Sequence, residues 1–309
     1  MRRLAVGPAV VATPVCGHWA SGASGSTETD ERRGRAMQRR QLESDQGTVS
    51  YLESGSPDAP PLLLLHGTYW SRVWQPVLDQ LGEIRHCIAL DLPGFGRSDG
   101  ELDVAAATVP ALAGTVQRVA EDLGLPEYDL AAHDIGGGIA QHLVAGGSAP
   151  VRSLVLVNAV VFDSWPVPAV ARFQDVAVRS TTGVADLVAA RRESTRKAVA
   201  RPLSDAEVED YVSPWLDERR ARSWMSMAAA ADARYTLELV PALVERALPT
   251  RLVWGRDDDF QKVEFARRYV HEVPGADLVE VPGKHIPTED SPAEVATAIR
   301  EHLDRVLPG

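Results

Sequence analysis

Cysteine is nearly absent: the 309 residues hold only two, Cys16 and Cys87. That excludes a disulfide framework, and Cys87, inside the apolar run His86 to Leu90, reads as a small buried hydrophobe. No uninterrupted apolar run is long enough to span a bilayer, so stable membrane insertion is not expected. Positive charge is in deficit. Against 43 acidic residues stand 32 Lys and Arg, a net charge of −11, which argues against an extended nucleic-acid-binding surface. No repeat of solenoid length occurs. What is present, 45% hydrophobic and 24% charged residues, is the composition of a soluble globular protein. The length suffices for one large α/β domain with an inserted subdomain.

Residues 1–36 differ from the rest. They are rich in Gly, Ser, Thr and Arg and carry no sustained amphipathic pattern. A disordered extension is expected, with Met37 as the true start and a cytoplasmic location. The alternative is a signal peptide built from Arg2, Arg3 and the run Leu4 to Val15, which would make the protein secreted. Pro8 and Pro14 interrupt that run, and no clear A-x-A cleavage site follows.

Hydrophobic periodicity organises the remainder. Gly47 to Ser54 alternates and reads as an edge strand. Pro61–Leu65, His86–Leu90, Tyr128–Ala132, Ser153–Asn158, Thr250–Trp254 and Asp277–Val281 read as strands, several of them apolar runs suited to burial on both faces of a parallel sheet. Trp70–Leu81 and Thr108–Leu123 carry apolar residues at helical spacing. From Phe162 to Val240 the pattern is helical without sheet-like runs. Ser204 and Glu207 form a capping box, Pro214 is expected to open a further helix, and Ser291-Pro292-x-Glu294 starts the last one. Alternating strands and helices predict a mostly parallel sheet flanked by helices.

The stretch Leu130 to Ala140, Leu-Ala-Ala-His-Asp-Ile-Gly-Gly-Gly-Ile-Ala, is the most informative. A short apolar strand ends in a tight turn, and a small-residue helix follows. Asp134 stands at the apex, where a G-x-S-x-G serine sits in a nucleophile elbow. Small neighbours suit a strained apex and a helix passing close to the strand. A carboxylate is ionised at neutral pH and needs no general base for its own attack. The N-terminus of the following helix favours its negative charge.

The ordered motifs His66-Gly67-Thr68, Asp91-Leu-Pro-Gly-Phe-Gly-Arg-Ser98, His133-Asp134-Ile-Gly-Gly137, Trp254-Gly-Arg-Asp-Asp258 and Gly283-Lys-His285 resemble the α/β-hydrolase superfamily, specifically its aspartate-nucleophile branch of epoxide hydrolases and dehalogenases. The resemblance implies an α/β-hydrolase fold with a core of residues 37–161 and 241–309 and a helical lid over 162–240. It implies Asp134 as nucleophile, His285 as base and Asp258 as the acid that orients His285, with Asp257 and Asp259 as the alternatives in the same triplet. It places the oxyanion hole at the backbone N–H groups of Thr68 and Ile135. Asp91 to Ser98 reads as a structural turn.

An Asp nucleophile suits attack at a saturated carbon, giving an alkyl ester that His-activated water hydrolyses. Haloalkane dehalogenases commonly carry Trp after the nucleophile, and fluoroacetate dehalogenases Arg; here Ile135 stands there. Epoxide opening is therefore the first choice, with Tyr235 or Tyr211 as proton donor and Trp70, Trp74, Trp165, Trp215 and Trp224 as candidate lining of a pocket for a large apolar or aromatic small molecule. Haloalkane, haloacid or ester hydrolysis is the alternative, and a ligand-binding receptor on the same fold is the non-enzymatic one. No metal and no cofactor is called for, and the oligomeric state is left open.

Overall fold

A computed structural model describes residues 36–44 and 47–306. The expected extension before Met37 lies outside the described residues except for Ala36, as do both signal-peptide arginines and Cys16. Eight strands form one sheet: β1 (Gln38–Ser44), β2 (Gly47–Ser54), β3 (Pro61–Leu65), β4 (His86–Leu90), β5 (Tyr128–Asp134), β6 (Val151–Ala159), β7 (Thr250–Gly255) and β8 (Ala276–Val281). Their spatial order is β1-β2-β4-β3-β5-β6-β7-β8. β1 and β2 pair antiparallel, β2 joins β4 antiparallel, and β4 through β8 are parallel.

The apolar runs occupy the middle of the sheet. Leu62 to Leu65 of β3 are fully buried, and every residue of β5 is buried. A strand buried on both faces needs a helix layer on each side. Helix α1 (Gln75–Gly82) packs with the C-terminal helix Pro292–Val306, and α2 (Val109–Asp122) packs with α3 (Ile135–Gly146). Each fully buried Leu in these layers contributes about 1.5–3 kcal/mol.

Four local expectations are revised. Gly47–Ser54 is a strand but not an edge: β1 covers it, and β1 escapes pattern reading because Gln-Arg-Arg-Gln-Leu-Glu-Ser is polar and mostly exposed. The Trp70–Leu81 helix divides into a 3₁₀ turn, Ser71–Trp74, followed by α1 with a proline in its first turn. Pro214 sits in a 3₁₀ turn, Ser213–Leu216, and the helix beyond it starts afresh at Glu218, capped by the Asp217 carboxylate. The helices between β6 and β7 run from Pro168 to Arg246, with no strand among them. The Ser204–Glu207 capping box forms as read.

The topology sets the site. The chain moves one way along the sheet from β3 to β4 and then returns to β5 on the other side of β3. The crevice beyond the carboxyl ends of such a strand pair is where open α/β sheets bind ligands. Thr68 follows β3 and Asp134 ends β5.

Candidate active site

Asp134 closes β5 with φ 55° and ψ −128°, a conformation costly for any residue with a Cβ. The turn is held by near contacts that only glycine permits. A Cβ on Gly67 would lie 2.5 Å from the Ile135 nitrogen and 2.6 Å from Asp134 Oδ2, and one on Gly136 would lie 2.6 Å from the His66 carbonyl oxygen. His66 shapes the facing turn: its Nδ1 donates to the Gly67 carbonyl (2.9 Å) and its Nε2 accepts from the Leu92 N–H (2.9 Å).

The Asp134 carboxylate is asymmetrically held. Oδ2 accepts the Thr68 backbone N–H at 2.8 Å and the Thr68 hydroxyl at 2.7 Å. Oδ1 lies 3.9 Å from His285 Nε2 and accepts no hydrogen bond among the described residues. Of the two donors expected for an oxyanion, Thr68 is thus engaged already. The Ile135 N–H makes no bond to the carboxylate, although it opens onto the same small space beside Gly67.

His285 follows β8 in a buried loop, and its Nδ1 donates to Asp258 Oδ2 at 2.9 Å. Asp258 is the buried member of its triplet, and Asp257 and Asp259 are exposed. Two further donors fix the Asp258 carboxylate: Asn158 Nδ2 to Oδ2 (2.8 Å) and the Phe260 N–H to Oδ1 (2.7 Å). Asn158 is itself pinned, accepting the Gly255 N–H at 2.8 Å and sitting at φ 39° at the end of β6. His133 Nε2 donates to the His285 carbonyl at 2.7 Å, which anchors the loop.

The electrostatics follow from these contacts. Burial pushes the Asp134 carboxyl up, but His285, His133 and the Thr68 N–H outweigh it, so it lies well below the usual carboxylate range. Burial pushes His285 down, but the Asp258 and Asp134 carboxylates dominate and hold its proton well above the ordinary histidine range. Burial, with the neighbouring His285, pushes His133 down to about 4, so it stays neutral.

A cavity of about 280 Å³ opens over Asp134, Thr68 and His285. Trp165 and Trp224 line it. Tyr235, Tyr211, Trp70, Trp74 and Trp215 do not, and this corrects their assignment to the substrate site. Tyr211 is fully buried with its hydroxyl on Glu289 (2.7 Å), Trp70 donates its indole N–H to the Tyr211 carbonyl (3.0 Å), and Tyr235 packs towards His142. Their spacing placed them in the helical segment but could not say which way they face. The turn Asp91 to Ser98 is structural as read: the Asp91 carboxylate accepts the backbone N–H groups of Ser71 and Arg97.

Tyr69, Arg191 and Gln261 went unread in the sequence as cavity residues. Tyr69 lines it from the core, directly after Thr68. Trp165 Nε1, both amide atoms of Gln261 and Arg191 Nε are buried in its wall without a hydrogen-bond partner among the described residues. Arg191, in the helix Val184–Lys197, and Trp224, in the helix Glu218–Ala229, both donate to the Thr68 carbonyl, at 3.2 and 3.1 Å. Single polar residues in helices carry no local signal of this kind.

Comparison with known proteins identifies the family. The model of the alpha/beta hydrolase family matches residues 62–298. The chain belongs to that family. Haloalkane dehalogenase 2 of Mycobacterium tuberculosis is similar to this hydrolase, with 29% identity over 277 residues, 85% of this chain and 94% of that protein. Epoxide hydrolase 1 of Caenorhabditis elegans is 30% identical over 112 residues, 36% of this chain and 28% of that protein. Among solved structures, haloalkane dehalogenase DbeA from Bradyrhizobium elkani superposes with a TM-score of 0.75 at 22% identity, over 88% of this chain and 99% of that one. That likeness shows the α/β-hydrolase fold.

Proposed function

We propose that this hydrolase cleaves a carbon–halogen bond in two steps through an alkyl ester on Asp134. The observation that carries this reading is the pair of buried N–H donors in the cavity wall, Trp165 Nε1 and Gln261 Nε2, which have no acceptor among the described residues. A departing halide needs such donors, and an unmatched buried donor costs about 1–3 kcal/mol without one. The full-length similarity to a haloalkane dehalogenase supports the same reading.

In the first step Asp134 Oδ1 attacks the halogen-bearing carbon. The C–O bond forms as the carbon–halogen bond breaks, and the halide leaves with the electron pair. Thr68 holds Oδ2 and so presents Oδ1 for attack. Esterification removes one of the two carboxylates that keep His285 protonated. The imidazole then loses its proton more readily and becomes a base. It takes a proton from water, the hydroxide adds to the ester carbonyl, and Thr68 with the Ile135 N–H receives the oxyanion. Collapse releases the alcohol, protonated by His285, while Asp258 steadies the imidazolium. The helices between β6 and β7 serve as the lid over this chemistry.

Epoxide opening is the second reading, favoured by one observation: Tyr69, a phenol and so a potential proton donor to a ring oxygen, lines the cavity. Incubation with 1-bromobutane and with 1,2-epoxybutane separates the two. Bromide and 1-butanol are expected. Diol formation with no bromide release would overturn the dehalogenase reading in favour of the epoxide one.

A further inference from the structure

Arg191 is a buried cation with no carboxylate in direct contact, although the Asp134 carboxylate and the Tyr69 phenol are near enough to favour its charged form against burial. It is 7% exposed and forms no ion pair among the described residues. Its Nη2 donates to the Thr68 carbonyl, and its Nε has no partner. Three aromatic rings surround the guanidinium: Tyr69 at 4.5 Å, Trp215 at 4.7 Å and Trp224 at 5.0 Å from the ring centroids. Cation–π contacts offset part of the desolvation of a buried charge. They do not replace a carboxylate, and burying an ion costs several kcal/mol when it is unpaired.

The cavity around it is electropositive in an acidic protein. The chain carries a net charge of −11. Yet Arg191 and Arg172 line the cavity along with His285, and Asp134 is the one acidic residue in the lining. Arg172 is exposed, stacks on Phe173 at 4.7 Å, and forms no ion pair among the described residues. Charge of one sign in a cleft with apolar walls concentrates ligands of the other sign. A guanidinium presents a planar fork of donors that matches a carboxylate.

We infer that the cavity takes an organic anion, with Arg191 binding a carboxylate carried by the substrate and Arg172 drawing it in from solvent. The inference rests on the reading of this cavity as the reaction site. The substrate is then a small halogenated carboxylic acid, whose charged end meets Arg191 while its halogen-bearing carbon meets Asp134. Hydrolysis replaces the halogen by hydroxyl and gives a hydroxy acid, one halide ion and one proton. A guanidinium near the reacting carbon also offsets the repulsion between the Asp134 carboxylate and an anionic substrate.

Binding and turnover test this separately. Butyrate and its neutral isostere butyramide are titrated into the whole protein and followed by calorimetry and tryptophan fluorescence, since Trp215 and Trp224 flank Arg191. Wild type should bind butyrate at least tenfold more tightly than butyramide. Arg191→Gln should lose that preference, and Arg191→Lys should keep part of it. In turnover, the ratio of kcat/KM for 3-chloropropionate to that for 3-chloropropionamide should fall at least tenfold in Arg191→Gln. Equal binding of the two probes by wild type overturns the inference, even if Arg191→Gln does not fold. A butyrate preference that survives in folded Arg191→Gln overturns it too. Sodium bromide that binds through Arg191 while butyrate does not would make Arg191 a halide site, and so also overturns it. Halide release without any preference for the acid leaves dehalogenation standing and sinks this inference. A butyrate preference without halide release from any probe does the reverse.

Discussion

The indole N–H of Trp224 donates to the carbonyl of Thr68 at 3.1 Å, 156 residues away in sequence. The same threonine gives its N–H and hydroxyl to Asp134 Oδ2. A residue of the helical segment thereby fixes the residue that orients the proposed nucleophile. Trp224→Phe keeps the ring and removes the donor, leaving Thr68 with Arg191 alone. The lost hydrogen bond is worth about 0.5–1.5 kcal/mol, so kcat/KM should fall roughly 2- to 12-fold. Steady-state kinetics on the folded variant check this, and an unchanged kcat/KM would detach Trp224 from the site.

His285→Gln separates the two half-reactions. An ionised Asp134 attacks without a base, but hydrolysis of its ester needs one. The variant should release one equivalent of halide and stop. Intact-protein mass spectrometry should then find the alkyl adduct, and peptide mapping should place it on Asp134. A folded variant that binds a proven substrate yet gives neither burst nor adduct refutes the two-step mechanism.

The acidic triplet makes a positional prediction. Asp258 is buried against His285 and Asn158, while Asp257 and Asp259 face solvent. Asp258→Asn should lower kcat on the order of 10⁴-fold, the cost of neutralising the orienting carboxylate in a serine-type triad. The same change at Asp257 or Asp259 should cost less than about twofold, the scale of a surface substitution within 0.5 kcal/mol. A comparable loss at either neighbour would contradict the orientation seen here.

Stability should depend on pH through His285. Its native proton is held well above the ordinary range, whereas the unfolded imidazole titrates near about 6.5. The native state therefore binds the proton more tightly. That contribution is fully present below about 6.5 and is lost as the pH rises through the native value. Urea unfolding at pH 6, 7.5 and 9 should show wild type losing more stability than His285→Gln over this rise. Parallel curves for the two proteins would mean that the pairing with Asp258 and Asp134 does not raise the native affinity for the proton.

What was legible in the sequence follows the range of the interactions. β3 and β4 coincide with their apolar runs, and β5 with its run extended to Asp134, because burial on both faces writes itself into consecutive residues. Asp134, Asp258 and His285 each stand in a short local motif, and the structure brings them within reach of one another. Asn158 had no such signal, since an asparagine at a strand end acquires meaning only when β7 lies beside it. Arg191 stands among several other charged residues of the helix Val184–Lys197, so nothing local sets it apart. Tyr211 and Tyr235 were misplaced because membership of a segment does not determine which side of it faces the cavity.

The strand ends that frame Asp134 have a consequence for how reactivity arises during folding. His133 and His285 are joined across 152 residues, Asn158 and Asp258 across 100, and Thr68 and Asp134 across 66. Contacts of such sequence separation carry a large loop-closure cost and form late. No fragment of the chain contains the whole arrangement, and no early intermediate rich in local helices can assemble it. The carboxylate is ionised in solution from the start, but the contacts that would make it the proposed nucleophile exist only once Thr68 and the His285 loop lie beside it. If the proposed chemistry holds, a nascent or partly unfolded chain carries its residues without being able to alkylate itself.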